Sequence, residues 1–318
     1  MKLKEDLIFT LEIILPIALT ISLGYALRFS SFGEEKFLKK ANSFVFRVLF
    51  PIMLFVNIYQ YDITQSIHPR LFAFAAISVI AIALIAALAL HFTPIERAKQ
   101  GVLIQTAFRS NYLIFSLAIA EKIYGEAGAA IASMMTVLVV PLFNIMAVLV
   151  ILFYGTASKD AHSPGQVAKQ IATNPLILGI VCGLVANLSG IRLPTVLLDT
   201  MTSIKACGTP LALLILGGSF SFKKMFQNGK EVALGILIRQ VAVPFIFISL
   251  AVYVGFSGVE LIPLCVIFSS STAVSGYIMA EEGGMNGEFA GQMVVSTTFF
   301  SILSMFVVIF TLKSMGLL

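Results

Sequence analysis

Stretches of about 20 consecutive apolar residues recur along almost the whole chain, and no other feature constrains its fold as strongly. A segment of that length crosses roughly 30 Å of hydrocarbon as a helix. Bounded by charges and turn residues, ten such stretches are expected at about 7–27, 41–59, 70–92, 99–121, 126–154, 173–189, 195–219, 230–254, 259–282 and 287–312. Backbone N–H and C=O groups in a bilayer must be satisfied within the protein, so the chain reads as an all-α polytopic membrane protein. The composition, 58% hydrophobic and 12% charged with a mean hydropathy of +0.98, lies far outside the soluble range.

Little chain remains between the stretches. The longest loop, GTASKDAHSPGQVAKQ around residues 155–170, is too short and too polar to fold by itself. Lys2 and Lys4 before an apolar run resemble a secretion signal, but Glu5, Asp6 and Glu12 interrupt it and no small-residue cleavage site follows, so a retained first helix is expected. Cys182, Cys207 and Cys265 fall inside spans without metal-ligand spacing and read as small packing residues.

Cytoplasmic loops carry an excess of Lys and Arg. Arg28, Lys36, Lys39, Lys40, Arg97, Lys99, Lys159, Lys169, Lys223, Lys224 and Lys230 fall on one side of the ten-span arrangement. Lys2, Lys4, Arg70, Lys122, Arg192 and Lys313 fall on the other, together with both termini. Both termini are therefore expected outside the cytoplasm, in the cell (plasma) membrane. Topology accounts for the net charge of +5, and no nucleic-acid partner is indicated.

A shift of 159 residues superimposes Pro16 on Pro175, Gly24 on Gly183 and Pro51 on Pro210, and a shift of 160 sets Ala120 and Glu121 on Ala280 and Glu281. The matches fall at corresponding places in spans one and six, two and seven, four and nine. Residues 1–155 then form a first five-helix repeat, 156–172 a connecting loop and 173–318 a second repeat. Five is odd, so the second copy enters the bilayer from the opposite side, an inverted repeat of the kind that builds secondary transporters. The alternative is chance coincidence among prolines and alanines.

Such folds place their substrate site near the midplane, where helices broken at equivalent positions expose backbone groups. Spans four and nine are the most polar equivalent pair: one holds Arg109, Ser110, Asn111, Tyr112 and Ser116, the other SSSTAVSGY from Ser269 to Tyr277. Hydroxyls that compete for backbone bonds, followed by Gly276, weaken the ninth helix. The half-helix beginning there offers unpaired N–H groups and a positive dipole end, which suits a carboxylate. Arg109 either adds a permanent cation to this site or snorkels to the interface. Together these features favour an organic anion.

The segments FRSNY with AIAEKIYG, NPLILGIVCGLVANLSGIRLP, TPLALLILGGSF and STAVSGYIMAEEGG closely resemble the auxin efflux carrier family, which includes plant PIN-type carriers and bacterial permeases associated with malate or malonate. The resemblance covers essentially the whole chain. It implies ten helices in two inverted five-helix repeats, a scaffold, a transport unit around crossing, broken helices four and nine, and both termini outside. Asn111 matches the family's crossover asparagine, which would orient substrate; the alternative is an interhelical hydrogen bond worth about 0.6–2 kcal/mol. Where relatives often carry Gly and Pro the chain has Ser116 and Ala118, and where they carry Pro and Asn it has Ser271 and Ser275. Its breaks must then rest on Ser, Thr and Gly.

Ser271, Thr272, Ser275, Gly276 and Tyr277 are binding candidates by their place at the second break, although Ser and Thr in membrane helices commonly bond their own backbone. Asn144 after Pro141 either faces the same cavity or satisfies a kink. Asn57 reads as interfacial, and Arg47, Lys205 and Arg239 as snorkelling or ion-paired. Glu121 and Glu281 are repeat-related acids either of which would couple a proton if buried; a coupling sodium ion is the other possibility, and no cofactor or metal is expected. Gly128, Gly183, Gly217 and Gly218 read as close-packing positions. The three histidines, His68, His91 and His162, sit in or beside loops, and no catalytic constellation accompanies them, so an enzyme is not expected. The reading is alternating access carrying a small mono- or dicarboxylate, with a symmetric dimer through the scaffold as an option. An anion channel-like pore and an auxin-like aromatic carboxylate uniporter are the alternatives.

Overall fold

A computed structural model describes residues 2–60, 69–155, 172–173, 175–218 and 228–318. Among them the apolar stretches are all helical and no strand occurs. Helix α1 (Lys2–Leu27) is followed by α2 (Glu35–Phe44), which continues through a π-helical turn, Val45–Leu49, into α3 (Phe50–Gln60). Then come α4 (Pro69–His91), α5 (Arg97–Phe108) and α6 (Tyr112–Tyr154). The second half has α7 (Pro175–Leu188), α8 (Thr195–Gly218) and α9 (Gly229–Ile236), the last joined by a π-helical stretch, Leu237–Ala242, to α10 (Val243–Val254). Helices α11 (Leu261–Ser269), α12 (Val274–Glu282) and α13 (Gly287–Ser314) complete it. The expected connecting loop, 156–172, lies almost wholly outside the described residues.

Among the described residues, seven helical segments are long and apolar enough to cross a membrane by length and composition. One, Arg97–Tyr154, runs 58 residues, nearly three times the roughly 20 that one bilayer crossing needs. Gly125 subdivides it: its φ of 57° and ψ of −138° interrupt α6 in a region that only glycine enters freely. The two parts, 112–124 and 126–154, then pack so closely that a side chain at Gly128 would run into the carbonyl of Ala120.

Two crossings dominate the packing of the outer helices: α1 lies along α8, and α3 lies along α7. Both depend on glycine. Gly24 rests on the backbone of Leu214, and Gly183 on that of Phe55, so neither site has room for a Cβ. Gly217 sits in the same way on Ile21. Small residues that let backbones approach are how helices associate where lipid removes the hydrophobic drive. The outer face of α1 is a leucine row, Leu7, Leu11, Leu15, Leu19 and Leu23, every one exposed, as a lipid-facing surface requires. The polar residues run the other way: Ser269, Ser270, Ser271, Thr272, Gln292, Ser296 and Thr297 are buried at the centre, where α5, α6, α11, α12 and α13 meet.

Candidate functional site

Spans four and nine are broken without proline at either break. After Phe108 the backbone turns extended at Arg109 (φ −83°, ψ 126°), and α6 begins at Tyr112. After Ser269 it turns extended at Ser270 (φ −74°, ψ 169°), and α12 begins at Val274. Ser275 and Gly276 thus lie in the first turn of α12 rather than in the break, which falls on the preceding Ser and Thr run.

Tertiary partners replace the helical hydrogen bonds that each break gives up. The Asn111 N–H donates to the Ser271 carbonyl at 2.7 Å, and the hydroxyls of Ser110 and Ser270 lie 2.9 Å apart. The Thr272 N–H donates to Thr297 Oγ1 on α13 at 3.1 Å. Arg239, fully buried in the π-helical stretch, donates from Nε to Ser270 O (2.9 Å), from Nη1 to Ala107 O (3.0 Å) and from Nη2 to Ile267 O (2.8 Å). One guanidinium therefore collects the carbonyl ends of both α5 and α11. The expectation that Arg239 snorkels or forms an ion pair is corrected, because three backbone acceptors at two helix ends satisfy it in the interior. Gln240 beside it reaches Thr297 O at 3.2 Å.

Arg109 points inward rather than to the interface and is 3% exposed. Its Nη2 donates to Asn144 Oδ1 and to Ser275 Oγ, each at 3.0 Å, and its Nη1 to the Met279 sulfur at 3.2 Å, while Nε has no partner among the described residues. All these partners are neutral. Gly276 makes the approach possible, since a Cβ there would stand 3.3 Å from Arg109 Cδ. Next to this contact, Gln105, Thr106, Thr272, Gly276 and Tyr277 line a small pocket closed by Ala290 and Val294 of α13.

Gln105 went unread in the sequence. It is 4% exposed, and neither its amide nitrogen nor its oxygen has a partner among the described residues. Leaving a buried amide unpaired costs about 1–3 kcal/mol, which sets Gln105 apart from the satisfied polar groups around it. The Asn111 side-chain nitrogen is likewise buried and unpaired. The start of α12 and Arg109, which has no carboxylate partner among the described residues, bring positive charge to this place.

The other expected residues divide. Asn144 Oδ1 accepts from Arg109 without lining the pocket, and Thr272, Gly276 and Tyr277 do line it. Ser275 is exposed and holds Arg109 from the open side. Ser110 and Ser271 serve the crossover, and Tyr112 donates to the Ala132 carbonyl at 3.1 Å, a packing role. Glu121 is exposed, and the Glu281 side chain lies outside the described residues. Asn57 is not interfacial: it is 5% exposed and donates to Ser133 Oγ at 3.0 Å, because α6 passes over it. With Gln60, Glu126, Ala129 and Lys205 it lines a second, separate pocket. Arg47 is exposed, and so is His91; His68 and His162 lie outside the described residues.

No curated protein matches the chain. A family profile described as membrane transport protein matches residues 9–309, nearly its full length. With helices throughout, two broken spans crossing at a buried arginine, and this match, the chain belongs to the auxin efflux carrier family of membrane transport proteins.

Proposed function

We propose that this protein is a secondary carrier that moves a small organic anion, a mono- or dicarboxylate, across the cell membrane by alternating access. The observation that carries the reading is Arg109. A guanidinium 3% exposed, bonded only to neutral groups and set over the first turn of α12, leaves positive charge in a low-dielectric interior for an incoming anion to balance. Arg239 neutralises the negative ends of α5 and α11, so the positive ends of α6 and α12 dominate the field at the crossover. Asn111 and Gln105 supply the neutral hydrogen bonds that orient the substrate.

In this reading the chain has ten spans. Arg97–Tyr154 contributes two of them, while α7 and the α11–α12 pair supply those that fall short of a full-length helix. The halves are inverted repeats, both termini lie outside the cytoplasm, and α1, α3, α7 and α8 form the scaffold against which the crossover moves. Labelled malate, malonate and indole-3-acetate offered to proteoliposomes test the proposal. Saturable uptake of at least one, lost in Arg109→Ala and weakened in Arg109→Lys at unchanged protein yield, is expected. Uptake indifferent to both substitutions, or unsaturable conductance at large unitary rates, overturns it.

A further inference from the structure

We propose that Arg239 is a built-in cation standing where carriers with broken helices hold a coupling sodium ion, so that the crossover assembles and works without sodium. Unwound carbonyls and the C-terminal ends of half-helices are the groups that coordinate sodium in such folds. Here those groups are already taken. Ala107 O closes α5, Ile267 O and Ser270 O close α11, and the three receive Nη1, Nη2 and Nε of one guanidinium at 2.8–3.0 Å. Two helix C-termini each carry roughly half a negative charge, so one positive charge balances both.

The placement is built rather than incidental. Arg239 is fully buried, and the π-helical stretch Leu237–Ala242 turns both it and Gln240 inward. Single-turn π insertions of this kind occur frequently at functional sites. Gln240 Nε2 bonds the Thr297 carbonyl, and Thr297 Oγ1 in turn accepts the Thr272 N–H, so the π-helical stretch and α13 tie down the same break. Among the described residues no carboxylate pairs with Arg239, which leaves the helix ends as its counter-charge. A sodium ion at these oxygens would have to displace the guanidinium against its own charge. The assignment also fixes a division of labour: Arg239 serves the carbonyl side of the crossover, and Arg109 serves the N–H side where the anion enters. It depends on the packing alone and holds whichever anion is carried.

The test uses the full-length protein in detergent, with sodium and guanidinium as probes at constant ionic strength against choline. Wild type and Arg239→Lys are expected to bind no 22Na+ saturably and to melt at the same temperature in sodium and choline. Arg239→Ala exposes the carbonyl cluster, and is expected to melt lower and to regain several degrees on adding millimolar guanidinium or sodium, as mass action requires of a ligand that binds only the folded state. A residue that merely fills space would show no such cation specificity. Saturable 22Na+ binding to the wild type overturns the proposal, as does an Arg239→Ala protein as stable as the parent and indifferent to both cations. Should Arg239→Ala not fold, the other two proteins decide: matched, sodium-insensitive melting of wild type and Arg239→Lys supports the assignment, and sodium-dependent melting of either sinks it.

Discussion

The Asn111 N–H meets the Ser271 carbonyl at 2.7 Å, and the residues just before them, Ser110 and Ser270, meet through their hydroxyls at 2.9 Å. Both pairs are 160 positions apart, the spacing that aligns Ala120–Glu121 with Ala280–Glu281 in the sequence. Equivalent residues of two copies touch only where the axis relating the copies passes between them. In the proposed inverted repeat the axis would run through the crossover, and the two contacts join one break to the other.

If the crossover moves as a unit, linking its halves should not stop transport. Ser110→Cys with Ser270→Cys, in a background with Cys182, Cys207 and Cys265 replaced by Ala, is expected to form a disulfide on mild oxidation, the hydroxyls being only 2.9 Å apart. Uptake should survive the bond. A loss of flux restored by reduction would mean that the two breaks separate during the cycle.

Gln105 lines the pocket with both polar atoms unpaired. Gln105→Leu removes a buried unsatisfied amide, so it is expected to leave stability unchanged or raise it by about 1–3 kcal/mol. The same substitution deprives the substrate of a hydrogen bond, and KM should rise by about 10-fold or more, since each 1.4 kcal/mol is a factor of ten. Opposite movements of melting temperature and KM are the signature. A parallel loss of both would make Gln105 a structural residue.

Gly276 lets Arg109 lie across α12. A methyl group there would stand 3.3 Å from Arg109 Cδ, tighter than ordinary contact, so the guanidinium must give way by a few tenths of an ångström. Gly276→Ala is expected to raise KM modestly, and Gly276→Val to reduce uptake by roughly 10-fold or more through displacement of the charge. Purified protein yield should remain near the parent's for the alanine variant. Unchanged kinetics in the valine variant would show that Arg109 does not bind from this position.

Much of this arrangement was legible in the chain because a bilayer makes length and hydropathy decisive. The fifth stretch, 126–154, and the tenth, 287–312, coincide with helix to within two residues at their ends. The breaks were legible as polar clusters even without the family's prolines, since only tertiary partners keep so many hydroxyls and amides inside. Arg239 was not. In GILIRQVAV it looks like any arginine that snorkels, and the π-helical turn that drives it inward is a matter of register that no local pattern records. Gln105, within LIQTAF, was hidden for the same reason: its importance comes from what it fails to meet. Asn57 lies near a span end in sequence, but its burial is decided by Ser133, 76 residues away.

The proposed repeat also relates contacts of the outer helices, and these permit a test that involves no transport. Gly24 rests on Leu214 and Gly183 on Phe55, and a shift of 159 residues turns the first pair into the second. The crossings are equivalent but not equally tight: a Cβ on Gly24 would overlap the Leu214 carbonyl, whereas one on Gly183 would stand 2.9 Å from Phe55 O. Overpacking costs about 1–3 kcal/mol where neighbours can yield, and more where the obstacle is backbone. Gly24→Ala is therefore expected to lower the melting temperature more than Gly183→Ala, and both more than Leu19→Ala on the exposed row of α1, which should stay within about 0.5 kcal/mol of the parent. Glycine variants no worse than the Leu19 control would show that the helices stand further apart than the backbone contacts require, and the scaffold would lose its symmetric pair of crossings.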